Sequence, residues 1–355
     1  MSDSTSAHEK NRSVANRLFG SVTRLRSAAR MRLYFAAVHA YIFWITLRLV
    51  MLRAFRGKRL LVVMRAGGLG DVIASQPALA ALRKQYPDRH LVYCTRPEFR
   101  PIAACLPGVD CVLPVFHGDR LAVFAGRWFD TRRFRYLDEY DPQGSTRCFV
   151  EEMAGSVGIT LPADAAPRIE IAAMSDAEFA EWFGTPRAGR RIIALHAGPS
   201  APVREWPHQH WQNLAAMLVR DSGLAVVQIG SGRHFIHGGK DNTIPGALQP
   251  LRQLSLVESA RLLKSCTCMV GIDSGPLHLA AAVGTRAIGI FGPVNPRLRL
   301  PPGAQFVVAE PPLPCQFCHH RNPRGHWETG CNNEVACMRT ISVASVLSQF
   351  TELIG

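Results

Sequence analysis

Cys268-Met269-Val270-Gly271-Ile272-Asp273-Ser274-Gly275-Pro276-Leu277-His278 is the stretch on which the fold turns. Its first five residues form an apolar run of strand length. Leu279-Ala280-Ala281-Ala282-Val283 then reads as helix, closed by Gly284. Ser274 suits the N-cap of that helix and Pro276 its first turn. A strand that passes through a small polar turn into a helix leaves backbone N–H groups aimed outward, and such a helix start attracts phosphate. His278 faces the same opening. The element is expected to hold a nucleotide diphosphate.

The segments on either side follow the same alternation. Residues 192–196, 224–229 and 287–291 read as strands, and 211–221 and 256–264 as helices. In the first half, 59–64, 90–94, 111–115 and 169–171 read as strands. A glycine-rich turn, Arg65-Ala66-Gly67-Gly68-Leu69-Gly70, leads into a helix over 71–85. Residues 117–160, rich in arginine and aromatic side chains, fit no element. Gly184-Thr185-Pro186-Arg187-Ala188-Gly189-Arg190-Arg191 reads as a linker. Strands separated by helices imply parallel sheets covered on both faces, with ligands bound beyond the carboxyl ends of the strands. Gly70, His196, Gly230, Asp273 and Gly292 all fall just beyond such ends. The fold class is therefore α/β, with two doubly wound, Rossmann-like domains facing a cleft. The divisions are a basic helical extension (1–57), two domains (58–185 and 186–338) and a C-terminal helix (339–355).

A length of 355 residues suits two domains, and 47% apolar with 19% charged residues excludes wholesale disorder. The charge is concentrated at one end. Residues 1–59 carry twelve Lys/Arg against Asp3 and Glu9, which is +10 of the chain's +14. Within this segment, 33–52 is apolar apart from His39 and Arg48, near the minimum length for a membrane span. No small-residue cleavage site follows it, against a signal peptide. A spanning helix would carry one basic flank across the membrane, whereas an in-plane helix keeps both flanks on an anionic leaflet. Packing on the protein or on an oligomer partner is the third reading. The in-plane helix is the expectation, with the protein peripheral on a membrane. An anionic membrane surface, rather than nucleic acid, is the expected partner. Six cysteines are scattered singly or in apolar runs, as buried thiols of a reducing compartment.

Two further motifs stand at strand ends. Gly67-Gly68-Leu69-Gly70-Asp71 lacks the G-x-G-x-x-G spacing and places a carboxylate where a pyrophosphate would sit, which argues against a dinucleotide fingerprint. Asp71 either caps its helix or serves as a general base at the mouth of the cleft. His196-Ala197-Gly198-Pro199-Ser200 permits close ligand approach, and Arg204 in Arg204-Glu205-Trp206-Pro207 brings a phosphate-neutralising charge. The bland alternative is an ordinary loop with a packed Trp206.

Taken in order, Gly70-Asp71-Val72-Ile73, the Pro77 helix, Arg204-Glu205-Trp206-Pro207, Asp273-Ser274-Gly275-Pro276-Leu277-His278 and Phe291-Gly292-Pro293-Val294-Asn295-Pro296 resemble glycosyltransferase family 9, the ADP-heptose:lipopolysaccharide heptosyltransferases. The resemblance runs from about residue 59 to 354. It implies the GT-B fold, inversion at the anomeric carbon and no catalytic cofactor. It implies that Asp71 deprotonates the acceptor hydroxyl, and that Asp273, Ser274, Gly275 and His278 bind the donor's diphosphate and sugar. His196, Ser200 and Arg204 join the expected donor site. The expected reaction moves heptose from ADP-heptose onto an anionic glycolipid of the lipopolysaccharide core, at the cytoplasmic face of the inner membrane. The alternatives are another sugar, a protein acceptor, or a silent nucleotide-sugar-binding protein. Arg96, Arg100, Arg127, Arg132, Arg133 and Arg135 are expected either to meet the acceptor or to form a solvated face. The sequence departs from the family pattern in three places. Arg204 stands where lysine is usual, the 230–234 loop carries no acid, and the basic extension is additional.

Cys315-x2-Cys318-x12-Cys331-x5-Cys337 sets four thiols within 23 residues. A Cys-x2-Cys pair places two sulfurs on one metal, and two later cysteines complete a tetrahedron. A structural zinc or iron, packed free thiols and a disulfide are the three readings, with His319, His320 and His326 as spare ligands.

Overall fold

The structure, a computed structural model, describes residues 36–55, 57, 59–115, 125–126, 128–135, 148–198, 201–230, 243–301, 303–320 and 331–355. Helix α1 (Ala36–Phe55) comes first. The first half continues through β1 (Leu60–Met64), α2 (Leu69–Ala74), α3 (Gln76–Gln85), β2 (His90–Thr95), α4 (Arg100–Ala103), β3 (Cys111–Pro114), β4 (Asp130–Arg133) and α5 (Phe149–Gly155). The connecting helix α6 (Asp176–Phe183) follows. The second half runs β5 (Arg191–His196), α7 (His208–Leu218), β6 (Leu224–Gln228), α8 (Leu256–Ser265), β7 (Cys266–Ile272), α9 (Gly275–Ala282), β8 (Arg286–Ile290), α10 (Pro296–Arg299) and β9 (Gln305–Val307). Helices α11 (Ala336–Arg339) and α12 (Val343–Ile354) close the chain.

Two parallel sheets result, ordered β3-β2-β1-β4 and β6-β5-β7-β8-β9. In the first sheet the winding reverses beside β1, and in the second between β5 and β7. Clefts at such reversals are where open parallel sheets bind ligands. Asp71 follows β1 and Asp273 follows β7, so both lie at reversal points. Apart from the edge strands β4 (Asp130-Thr131-Arg132-Arg133) and β9, the strands are near-continuous apolar runs because helices cover both faces. Every residue of β1, β2 and β6 is buried.

Local chemistry explains where the elements differ from expectation. The helix expected over 71–85 breaks at Ser75, since Pro77 has no N–H to return to the preceding turn. Ser75 Oγ instead donates to the Val72 carbonyl at 2.7 Å. Helix α9 starts at Gly275, four residues ahead of the expected 279, because Pro276 is tolerated in a first turn. Segment 169–171 is not a strand. The backbone N–H groups of Arg168 and Glu170 donate to the Gln76 side chain and the Cys105 carbonyl of the first half, while that of Ile169 donates to the Ala282 carbonyl of the second. The segment stitches the halves together instead of extending a sheet. Helix α6, which precedes the expected linker, docks on the second half through Glu178, which accepts from Arg261 Nη1 and Nη2 at 2.5 and 2.8 Å. Strands β4 and β9 are additions to the expected set.

Helix α1 packs on the first sheet. Val38, Ile42, Ile45 and Leu49, at helical spacing, are buried against Leu60, Val62, Val92, Cys94 and Leu113. Tyr41 donates its hydroxyl proton to the Pro114 carbonyl at the end of β3.

Candidate active site

The two halves meet where α2 and α9 begin. A Cβ on Gly70 would lie 2.9 Å from His278 Cδ2, and one on Gly275 would lie 2.8 Å from Leu69 Cβ. These glycines are required for their small size. They let the loop after β1 and the turn after β7 approach closely, bringing Asp71 and His278 into electrostatic contact. Phe149 on α5 completes the junction from the first half. Its ring stands edge-on to His278 at 6.2 Å between centroids, and Arg299 of α10 lies 5.5 Å over its face.

Asp71 sits on the first turn of α2 with its carboxylate folded back over the glycine loop. A Cβ on Gly67 would fall 2.4 Å from Asp71 Cγ, so only glycine fits beneath it. Arg65 donates to Oδ1 from Nε at 2.9 Å and pairs with it through Nη2. The Gly68 N–H donates to Oδ2 at 2.8 Å. Oδ1 is filled by its two Arg65 bonds, while Oδ2 keeps lone-pair capacity for a further donor. Both expected parts of Asp71 are thus compatible: it caps α2 and holds an oriented carboxylate beside the other half.

Asp273 ends β7 and is buried, with its side chain 5% exposed. Arg204 Nη1 stands 3.1 Å from its Oδ2 and 3.4 Å from its carbonyl oxygen. Burial alone would raise the Asp273 pKa. The positive charges of Arg204 and Arg299, with His278 and His319, outweigh it and hold the carboxyl below its ordinary 3.8. The Arg204 charge is therefore partly committed to Asp273. Trp206, in the same loop, donates its indole N–H to the Ile341 carbonyl at 3.0 Å and stacks edge-on against Trp211 at 5.0 Å. Trp206 is thus a packing anchor, while Arg204 reaches the end of β7 at Asp273.

Ser274 occupies the N-cap of α9, yet its hydroxyl donates to the Ile272 carbonyl at 3.1 Å and makes no cap bond. The first turn of α9 therefore has no side-chain cap. His196 is 2% exposed, and its Nδ1–H donates to the Ile229 carbonyl at 3.1 Å. A Cβ on Gly230 would come within 2.9 Å of this ring. His196 is thus packed against the Gly230 turn at the end of β6. Ser200, Arg127 and His326 lie outside the described residues.

Among the arginines expected either to meet an acceptor or to form a solvated face, Arg132 is held internally, donating to the Tyr86 hydroxyl at 2.7 Å and the Val157 carbonyl at 3.0 Å. Arg96 pairs with Glu98. Arg133 ends β4 opposite Met64, so it and Arg135 flank the strand end that carries Arg65. Arg65, Phe149 and Arg299 were missed in the sequence. Arg65 precedes the glycines and reads as loop, Phe149 falls in the unassigned 117–160, and Arg299 rides a helix of only four residues. The Asn295-Pro296 pair, an N-cap followed by a first-turn proline, was the one signal for that helix.

His278 is partly exposed at the junction. Burial, then Arg299 and Arg204, lower its pKa below 6.5 against the opposing pull of Asp273 and Asp71. A histidine depressed in the folded state binds fewer protons than in the unfolded chain, so its contribution is lost as pH falls below 6.5. Stability should fall by up to about 1.4 kcal/mol per pH unit below that point. Urea midpoints at about pH 7.5 and 5.5, on either side of the ordinary histidine pKa, should differ less in His278→Gln than in the parent, and an unchanged difference would contradict this assignment. A bound diphosphate adds negative charge and pulls the His278 pKa upward.

Cys315, Cys318, Cys331 and Cys337 all line one cavity of about 10 Å³, closed by Val203 and Pro293. Burial, then the neighbouring Cys318, Cys331 and Cys315, push the Cys337 thiol up to about 12. The Asn333 backbone N–H and side-chain amide reach Cys331 Sγ and Cys315 Sγ at 3.4 and 3.6 Å. All four are free thiols in this arrangement. Among the described residues no three His, Cys, Asp or Glu form a ready metal-binding group. Donor chemistry and enclosure nevertheless suit a tetrahedral thiolate site, though the sulfurs must close inward to complete it. His320 Nε2 accepts from the Asn295 N–H at 3.0 Å and His319 lies beside Arg299, so both brace the segment after β8.

A family model described as glycosyltransferase family 9 (heptosyltransferase) matches residues 148–326, half of the chain. Lipooligosaccharide heptosyltransferase 2 of Haemophilus influenzae is 34% identical over 119 residues, covering 32% of this chain and 34% of that protein. The chain spans about a third of the length of the curated relatives it matches. ADP-heptose lipopolysaccharide heptosyltransferase II of Escherichia coli superposes with a TM-score of 0.60 at 18% identity, over 83% of this chain and 98% of that one. The dodecameric iron-containing glycosyltransferase TibC of enterotoxigenic E. coli H10407 gives 0.61 at 16% identity, over 83% and 76%. The same protein in complex with ADP-D-β-D-heptose gives 0.62 at 17%, with the same coverage. These likenesses establish the GT-B fold.

Proposed function

Since the chain belongs to glycosyltransferase family 9, we propose that it transfers a sugar from a nucleotide diphosphate donor to a glycolipid hydroxyl with inversion. ADP-heptose is the donor, and the acceptor is an anionic glycolipid of the lipopolysaccharide core on the cytoplasmic side of the inner membrane. The observation that carries this reading is the approach of Asp71 to His278 across the α2–α9 junction.

In the proposed step, the acceptor oxygen attacks the anomeric carbon as Asp71 takes its proton. The bond from that carbon to the diphosphate breaks, and the electron pair leaves on the β-phosphate oxygen. The uncapped start of α9 and the His278 N–H stabilise that charge, with Arg204 and Arg299 supplying the surrounding positive field. One displacement inverts the centre. Asp273 keeps Arg204 in place, and Arg65 aims the Asp71 carboxylate. Incubation with ADP-heptose and heptose-deficient core glycolipid should yield ADP and a heptosylated product. Donor turnover absent across ADP- and UDP-sugars would refute the reading.

The four cysteines would hold a structural zinc or iron behind the loops that carry Arg204 and Asn295, without entering the chemistry. A coordinated metal deprotonates its thiols outright, which offsets the burial that raises Cys337. Mass spectrometry of purified protein should find about one metal per chain, the complement of a single tetrahedral site with four thiolate ligands. Less than about a tenth of that, with all these thiols titratable, would reject the site.

A further inference from the structure

Helix α1 has two apolar faces, and among the described residues only one packs against the fold. Val38, Ile42, Ile45 and Leu49 point into the first sheet. On the far side Phe43, Trp44, Leu47, Val50 and Met51 are 64, 45, 45, 47 and 48% exposed. At about 100° per residue these five fan about the direction opposite the buried stripe. They form a contiguous apolar strip, unlike the scattered exposed side chains of an ordinary surface. Cations border the strip. Arg48 lies 4.7 Å over the Trp44 ring. Arg53, at the C-terminal end of α1, shares a pocket of about 210 Å³ with Arg59, Arg89, Asp130 and Trp128. Asp130 is paired with Arg89, so the pocket carries net positive charge from Arg53 and Arg59. Trp128 is 64% exposed at its rim.

We propose that this face is a monotopic membrane-docking surface. Helix α1 lies in the plane of an anionic phospholipid bilayer, and its outer strip enters the boundary of the acyl chains. The pocket of Arg53, Arg59 and Trp128 receives a phosphate-bearing lipid headgroup. Charge complementarity selects this occupant, since the apolar strip lies within the segment that holds +10 of the chain's charge. The helix is long and apolar enough to cross a bilayer, but crossing would strip its inner face from the sheet and expose β1 and β2. An exposed tryptophan beside arginines is the composition of a membrane–water boundary. The surface is independent of the transfer reaction, and it holds whichever sugar is moved.

The test uses the full chain and vesicles of phosphatidylethanolamine with phosphatidylglycerol, against vesicles of phosphatidylcholine alone. The protein should bind the first at least about tenfold more tightly, in line with two or more phosphate-facing charges. Tryptophan fluorescence should be quenched by acyl-brominated lipid, and Trp44→Phe should reduce that quenching. Leu47→Glu/Met51→Glu alters exposed positions only, so folding by circular dichroism should be unchanged while binding falls at least about tenfold. Arg53→Glu/Arg59→Glu should abolish the preference for anionic lipid. Undiminished binding of the Leu47/Met51 variant would overturn the proposal, as would the absence of bromolipid quenching. A parent dimer that this variant converts to monomer, without vesicle binding by either, would assign the face to a second copy instead.

Discussion

Asp71→Asn is expected to lower turnover by about two orders of magnitude or more, the usual loss on removing a general base. Binding of ADP should stay within about twofold, because the substitution leaves the start of α9 untouched. Asparagine is isosteric and its carbonyl oxygen can keep the Arg65 contact, but its amide NH2 then faces the Gly68 N–H, so one cap bond of α2 goes while the volume over Gly67 is kept. Also lost is the ability to take a proton. Single-turnover rates with donor saturated, together with calorimetric titration of ADP, separate the two effects. Equal losses in ADP affinity and in turnover would mean that Asp71 supports the fold of the junction instead of the proton transfer.

Arg204→Met is expected to produce the largest change in stability. It leaves the Asp273 carboxylate buried without its nearest cation, at a cost of about 3–5 kcal/mol. Asp273 has its pKa lowered in the folded state, so the stability it contributes is present above its unfolded value and is lost as pH falls through the folded one. In Arg204→Met that contribution largely disappears, and the urea midpoint at neutral pH should fall accordingly. The double variant Arg204→Met/Asp273→Leu removes both charges, and apolar replacement of a buried pair is often neutral. It should recover most of the midpoint while remaining deficient in donor binding. A stable Arg204→Met with normal ADP affinity would show that Arg299 alone serves Asp273 and the donor.

The parallel frame was legible because its strands are apolar runs punctuated by glycine turns, and burial on both faces demands that pattern. The strand-to-helix turn at Asp273–His278 could be read for a similar reason, since Pro276 suits a first helical turn. Long-range pairings were less accessible. Nothing near Arg204 announces Asp273, 69 residues away, and nothing near Phe149 announces His278. Such contacts arise from how the two halves dock, which is fixed by the size of Gly70 and Gly275 and by the stitching of 168–170. Segment 169–171 misled because alternating apolar residues suit a strand and equally suit a chain sandwiched between two domains. Helix α1 was visible as a helix, but its inner stripe differs from its outer one only in what each touches.

The central claim is that Asp71 and the start of α9 flank one sugar. The most direct test is the crystal structure with an ADP-heptose analogue whose sugar 2-hydroxyl is replaced by fluorine, which slows departure of the diphosphate. The account predicts the β-phosphate against the Gly275 end of α9, beside His278. It also predicts the anomeric carbon turned toward Asp71, with room between them for one hydroxyl oxygen about 3–3.5 Å from the carbon. A diphosphate bound away from α9, or a sugar whose anomeric carbon faces away from Asp71, would contradict it.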